Sequence, residues 1–303
     1  MDILQKIVES TKARVEREKA KIAFNEMREK AENLYKIQVA QCGGESSTKS
    51  SSDSPITFIK PPFAFEKALD SGESKRDSTQ KSSDSIDSTP QMRFICEVKK
   101  ASPSKGIIAH DFPYLQIALD YECAGADCIS CLTEPEFFCG ADSYLSEIAK
   151  SVKIPILRKD FIIDTYMIYQ AKVLGADCVL LISEILECEE MKEFCDIAHS
   201  LGLSVLVESH SESALQNALK TNARLIGVNN RDLRDFKVDL QTSIRLKKLV
   251  PNDKIFVSES GIATHSDIAL LQSHSINAVL IGETLMRKKD KTKALNALKG
   301  VNL

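Results

Sequence analysis

The sequence is defined first by what it lacks. Across 303 residues no apolar run approaches the roughly 20 residues that a bilayer-spanning helix needs, which argues against a membrane partner. There is no charge excess either. The formal net charge of −3 gives no electrostatic reason to expect nucleic acid or an anionic surface as a partner. The opening Met1-Asp2-Ile3-Leu4-Gln5-Lys6 alternates charge and hydrophobe, so no signal-peptide core is expected. The nine cysteines are odd in number and lack framework spacing, which predicts reduced thiols in the cytoplasm. Five histidines without ligand spacing predict that no metal is held.

One cysteine pair is spaced like a redox or zinc motif. Cys128-Ile129-Ser130-Cys131 lies within an apolar run that reads as a buried strand, where residues three apart face opposite ways. The two sulfurs should diverge, and no second such pair completes a metal site, so both are expected to be packing residues.

Three zones follow along the chain. Residues 1–39 place Ile3, Leu4, Ile7, Val8 and Val15 at helical spacing among Lys, Arg and Glu, predicting a solvated amphipathic helix lying on a larger body. Two low-complexity stretches, at about 43–55 and 71–90, are rich in Ser, Asp and Lys and are expected to be mobile insertions. Between them, 63–69 reads as a short helix. The segment 1–92 is thus a helical extension belonging to the same domain as 93–303.

From residue 93 short apolar runs alternate with amphipathic helical patterns. The strands are expected at 94–99, 128–133, 156–159, 178–182, 204–208, 225–229, 255–258 and 278–282. Helices are expected between them, for example at 114–124, 165–174, 188–201 and 212–220, several ending at a glycine. Continuous β-branched runs suit parallel strands covered by helices. Eight βα units in about 200 residues is the count of a closed (β/α)8 barrel of the α/β class, where a doubly wound open sheet has fewer strands.

In such a barrel the working face is the C-terminal end of the strands. Reading off those ends gives Glu97 and Lys99, Lys159, Glu208, Asn229 with Arg231, Glu259 with Ser260, and Gly282. Charge within apolar strands is costly unless it pairs or acts. A single such residue could equally be a salt bridge at the rim, but charge on at least five strand ends points to chemistry. Ser260-Gly261 and Gly282-Glu283 follow the seventh and eighth strands, where barrels commonly build a phosphate site from backbone amides. Glycine there would let the backbone approach the anion closely.

Six segments, in order, resemble the signatures of indole-3-glycerol-phosphate synthases. They are Cys96-Glu97-Val98-Lys99-Lys100-Ala101-Ser102-Pro103-Ser104-Lys105-Gly106, Leu157-Arg158-Lys159-Asp160-Phe161, Val207-Glu208-Ser209-His210, Gly227-Val228-Asn229-Asn230-Arg231-Asp232-Leu233, Val257-Ser258-Glu259-Ser260-Gly261-Ile262 and Ile281-Gly282-Glu283-Thr284-Leu285-Met286. The helical extension is similar to the one this family places before its barrel. Two departures stand out: the long serine-rich stretches, and Ser209 where a small hydrophobe is more usual.

The resemblance implies a cofactor-free enzyme acting on a small sugar phosphate, 1-(2-carboxyphenylamino)-1-deoxyribulose 5-phosphate. The ring carbon bearing the carboxylate attacks a ketone, then carbon dioxide leaves, then water. It implies Lys159 as the acid for ring closure, with a pKa expected to be lowered by neighbouring cations. Glu208 is the favoured carboxylate for the dehydration and rearomatisation, with Glu97 and Lys99 placed to share or exchange these roles. Arg231 would grip the substrate carboxylate in two places, Asn229 would orient the substrate, and Glu259 would position lysines or a hydroxyl. Ser102 would reach an anionic group, and Ser260, Gly261, Gly282 and Glu283 would cradle phosphate by their amides, with the Glu283 side chain turned away. Separately from the resemblance, the Ser-Pro-Ser-Lys-Gly composition of the loop at 101–108 predicts a lid. The protein is expected to be a monomer or a weak homo-oligomer. A rival reading is a phosphoribosylanthranilate isomerase using Cys96 and an Asp, which leaves Lys99 and Lys159 unexplained. Another rival, a non-catalytic barrel docking a partner, leaves the intact set of charges unexplained.

Overall fold

A computed structural model describes residues 3–43, 58–70, 91–232 and 236–301. Apart from Gly43, the serine-rich stretches lie outside the described residues, as does Leu233. Eight parallel strands close on themselves: β1 (Arg93–Val98), β2 (Cys128–Leu132), β3 (Ile156–Lys159), β4 (Cys178–Ile182), β5 (Ser204–Ser209), β6 (Leu225–Asn229), β7 (Ile255–Glu259) and β8 (Ala278–Ile281). Closure is explicit in β1, where Ile95 stands opposite Cys128 of β2 on one side and Leu280 of β8 on the other. Each strand lies within a residue of its predicted bounds, because these apolar runs can be buried only as strands flanked by helices.

Alternation along each strand builds two cores. Ile95, Cys128, Leu157, Cys178, Leu206, Leu225, Ile255 and Ala278 form the barrel interior. The opposite parity, including Cys96, Ile129, Cys131, Val179, Val205, Ile226, Phe256 and Val279, packs against the surrounding helices. Cys128 therefore faces inward and Cys131 outward, the divergence expected from their spacing.

The extension is two helices instead of one continuous stretch: α1 (Ile3–Lys21) and α2 (Phe24–Cys42), separated where Ala23 turns extended at φ −61°, ψ 152°. A third, α3 (Ala64–Leu69), starts one residue after the predicted point because Phe63 adopts a left-handed φ of 58°. It inserts Phe65 and Leu69, both fully buried, into the interior core. Two such side chains contribute about 1.5–3 kcal/mol each by burial.

The first helix lies on the larger body by its apolar stripe, as its amphipathic spacing predicts, and is also tied there by ion pairs. Ile7 and Val15 of α1 are buried, and Arg14 donates two hydrogen bonds to Asp160, at 3.0 and 2.6 Å, just beyond the end of β3. Lys19 pairs with Asp164 at 2.7 Å. The helix is thus fixed over the strand ends, and its apolar stripe has a surface to cover.

Candidate active site

The inward face continues past the apolar layer. Glu97 lies two residues beyond Ile95, Lys159 two beyond Leu157, Glu208 two beyond Leu206, and Glu259 two beyond Val257, so a strand period of two aims all four into the mouth. There they border a cavity of about 390 Å³. Every site residue predicted from sequence lines it: Glu97, Lys99, Ser102, Lys159, Glu208, Asn229, Arg231, Glu259, Ser260, Gly261, Gly282 and Glu283.

Lys159 is the hub. Its Nζ donates to Glu208 Oε2 at 2.6 Å and to Glu259 Oε2. Lys99 donates to Glu97 across the mouth's other flank. Glu208 also accepts from Asn229 Nδ2 at 3.1 Å and contacts His210 Nε2 at 3.0 Å. The second carboxylate oxygen of Glu259, Oε1, is buried without a hydrogen-bond partner.

These contacts reverse one expectation. Lys159 bonds to carboxylates, and no cation lowers its pKa. Burial opposes its charge, but Glu208, Glu259 and Glu97 outweigh that and hold the pKa above the ordinary lysine value. Glu208 is the converse case: burial disfavours its charge, yet Lys159 and His210 hold it well below the usual carboxylate range. Burial and the nearby Glu208 charge push Glu259 upward despite Lys159. Close carboxylates around one ammonium thus divide into an ionised Glu208 and a Glu259 that retains its proton more readily.

The glycines serve packing as well as any anion. A Cβ on Gly282 would lie 2.2 Å from Glu97 Oε1 and 2.9 Å from Lys99 Nζ, so glycine here makes room for the ion pair of β1. Ser260 and Gly261 are consecutive left-handed residues, at φ 68° and 82°. That turn is pinned from behind, since Asn230 Nδ2 donates to Ser258 Oγ at 2.9 Å and to the Ser260 carbonyl at 3.1 Å. Glu283 pairs with Arg287 at 2.9 Å and lies 3.7 Å from the Arg231 guanidinium. Ser102 belongs to a small antiparallel hairpin, Ala101–Ser102 with Gly106–Ile107, held at its base where Ile108 N donates to the Lys100 carbonyl at 2.8 Å. Ser209 faces away from the cavity and hydrogen-bonds Ser183 at 2.7 Å, so the departure from a hydrophobe is met by a polar partner.

Sequence reasoning missed the apolar wall. Phe138 and Phe161, with ring centroids 5.9 Å apart, line the cavity together with Ile3, Leu4 and Ile7 of α1. Phe161 was visible in the third-strand motif. Phe138 had no sequence signal: it sits on a loop tied down by Glu134, whose carboxylate accepts from the backbone amides of residues 136, 137 and 138. Cys96, the residue an isomerase would need, lies in the outer core, where burial pushes its thiol pKa up. Among the described residues no cluster of His, Cys, Asp and Glu could hold a metal ion, and no helix is long and apolar enough to cross a membrane.

A closed (β/α)8 barrel whose mouth couples two lysines to three carboxylates defines a barrel enzyme built for acid–base chemistry on an anionic ligand. Solved structures support the fold: a 3-hexulose-6-phosphate synthase from Salmonella typhimurium superimposes with a TM-score of 0.55 at 11% identity, over 69% of this chain and 97% of that one. The family model described as indole-3-glycerol phosphate synthase matches residues 59–298. The chain is 48% identical over 298 residues to an indole-3-glycerol phosphate synthase from Ruminiclostridium cellulolyticum, covering 98% of this chain and 99% of the relative. It is 57% identical over 208 residues to one from Endomicrobium trichonymphae, covering 69% and 81%. The chain belongs to the indole-3-glycerol phosphate synthase family.

Proposed function

We propose that this site converts 1-(2-carboxyphenylamino)-1-deoxyribulose 5-phosphate into indole-3-glycerol phosphate, carbon dioxide and water, in the cytoplasm, as a monomer or weak homo-oligomer. The observation that carries the reading is Lys159 held between Glu208 and Glu259 at the centre of the cavity. An ammonium kept charged by its neighbours is a proton donor, so Lys159 protonates the alkoxide that develops when the ring carbon attacks the ketone. Carbon dioxide then leaves that ring carbon. Lys99, paired with Glu97, donates to the departing hydroxyl, and ionised Glu208 accepts the proton released as the new ring becomes aromatic.

Binding fixes the reacting carbons. Ser260, Gly261, Gly282 and Glu283 offer their backbone to the phosphate, with Ser102 on the hairpin opposite. Arg231 exchanges its long contact to Glu283 for the substrate carboxylate, and Asn229, which donates to Glu208 and accepts from the Arg231 backbone N–H at 3.0 Å, aligns base and clamp. Phe138, Phe161 and the apolar stripe of α1 cover the aromatic ring. Holding both ends of a substrate can remove about 7–11 kcal/mol of barrier in favourable cases.

The test is a fluorescence assay for the indole product on mixing purified protein with the substrate. The sequence contains no tryptophan, so indole emission comes from the product alone. Lys159→Met and Glu208→Gln should each lose activity by about 10³-fold or more while the circular dichroism spectrum persists. Turnover by either variant near the wild-type rate would refute the assignment.

A further inference from the structure

His210 touches Glu208 yet has no part in the roles above. It lies two residues beyond Glu208, so the strand period brings it to the same side, and its side chain is only 10% exposed. The ring bridges two acceptors: Nε2 is 3.0 Å from Glu208 Oε1, and Nδ1 is 3.1 Å from the carbonyl oxygen of Arg231. A carbonyl can only accept, and so can an ionised carboxylate. While Glu208 is ionised, both ring nitrogens must carry hydrogen.

We propose that His210 is a positioning residue for the reaction: a doubly protonated imidazole that holds Glu208 in its ionised, base-competent form and ties it to the Arg231 backbone. This rests on the reading of Glu208 as the base. The surroundings favour the charged ring. Glu184, on the loop after β4, accepts from the His210 backbone N–H at 2.7 Å. Burial opposes the imidazolium, but the hydrogen bond and charge of Glu208, together with Glu184, push its pKa up to about 9. Around Glu208 the other facing groups are Lys159 from β3, Asn229 from β6 and Glu259 from β7. Lys159 serves Oε2 and His210 with Asn229 serves Oε1, so each carboxylate oxygen has a cation.

The linkage also has a geometric side. Arg231 N–H donates to Asn229 Oδ1 at 3.0 Å while its carbonyl accepts from His210, so the backbone of the carboxylate clamp is anchored from both ends by residues that touch the base. Replacing His210 by a neutral donor should leave the fold and remove the cation. Glu208 then ionises less readily, and the base form is lost at a higher pH.

The experiment is kcat/KM against pH for wild type, His210→Gln and Glu208→Gln. The expected result is an acid limb moved upward by about one pH unit in His210→Gln, read as a loss of up to roughly tenfold on the acid side of the wild-type limb, with little loss at neutral pH where Glu208 is ionised in both proteins. A profile of unchanged shape, whether lower throughout or not, overturns the inference. Should Glu208→Gln keep its activity, the base assignment itself has failed. Should it be inactive while the His210→Gln limb stays put, only the role of His210 has failed. A His210→Gln protein that does not fold leaves the wild type to decide. With ¹⁵N-histidine labelling, the His210 ring should show two protonated nitrogens at pH 7.5, and a neutral ring there refutes the proposal.

Discussion

The two ends of the barrel interior are made from the same strands and the same side-chain parity, yet they obey opposite rules. At the N-terminal end, Ile95, Leu157, Leu206 and Ile255 meet Phe65 and Leu69 of α3, and the layer is largely apolar, with Ser204 accepting from the Glu66 N–H at 3.2 Å. Two or four residues further along those strands stand Glu97, Glu208 and Glu259, nearly as buried, and Lys159, whose side chain is 13% exposed. The floor is stabilised by area removed from water and needs no partner of a particular chemistry. The mouth holds charges in a medium that penalises them, so each must find a counter-charge, and the pairing then sets which groups hold protons. One end can be altered in stability with little effect on chemistry, while at the other chemistry and electrostatics are inseparable.

Substitutions at the floor give the largest stability effect. Phe65→Ala opens a cavity under the barrel and should cost about 3–5 kcal/mol in urea denaturation. The turnover of molecules that remain folded at 25 °C should be unchanged. A loss of kcat equal to that of Lys159→Met would break the separation between floor and mouth.

A smaller effect is expected where α1 is clamped beside the mouth. Burial disfavours the Asp160 charge, but Arg14 and Arg158 outweigh it and hold its pKa low. A carboxyl whose folded pKa is depressed adds stability above its unfolded pKa, about 3.9, and loses it as pH falls through the folded value. Arg14→Ala should therefore cost about 2 kcal/mol at pH 7 and noticeably less near pH 3. An equal cost at both pH values would mean that the clamp acts by packing alone.

The smallest effect concerns the hairpin that carries Ser102. Amide exchange at residues 104–107 should slow severalfold when a non-reactive anthranilate–sugar phosphate analogue binds, because Gly106, at φ 62° with nothing packed near it, lies at an open tip. Unchanged exchange there would assign Ser102 to a preformed wall, with no lid.

How much of this was legible beforehand follows from the range of each interaction. The strands and the charged ends could be read because a period of two is local: once Leu157 is inward, Lys159 is too. The divergence of Cys128 and Cys131 followed for the same reason. Phe138 was hidden because its position depends on a loop folded around Glu134, and loop conformation has no period. The single helix expected at 1–39 became α1 and α2 because helical spacing alone does not mark the extended turn at Ala23.

The sequence by itself determined the barrel, the parity of every strand and the charged residues at the strand ends, since all of these rest on alternation and burial along the chain. The tertiary structure alone decided the charge states. Lys159 on β3 is closed upon Glu208 on β5 and Glu259 on β7, separated by 49 and 100 residues. Coulombic coupling depends on distance in space and on the exclusion of water, and neither is written in the order of residues. The same holds for Gly282, which leaves space for the Glu97–Lys99 pair, and for α1, whose apolar stripe became a wall of the active site only when Arg14 met Asp160.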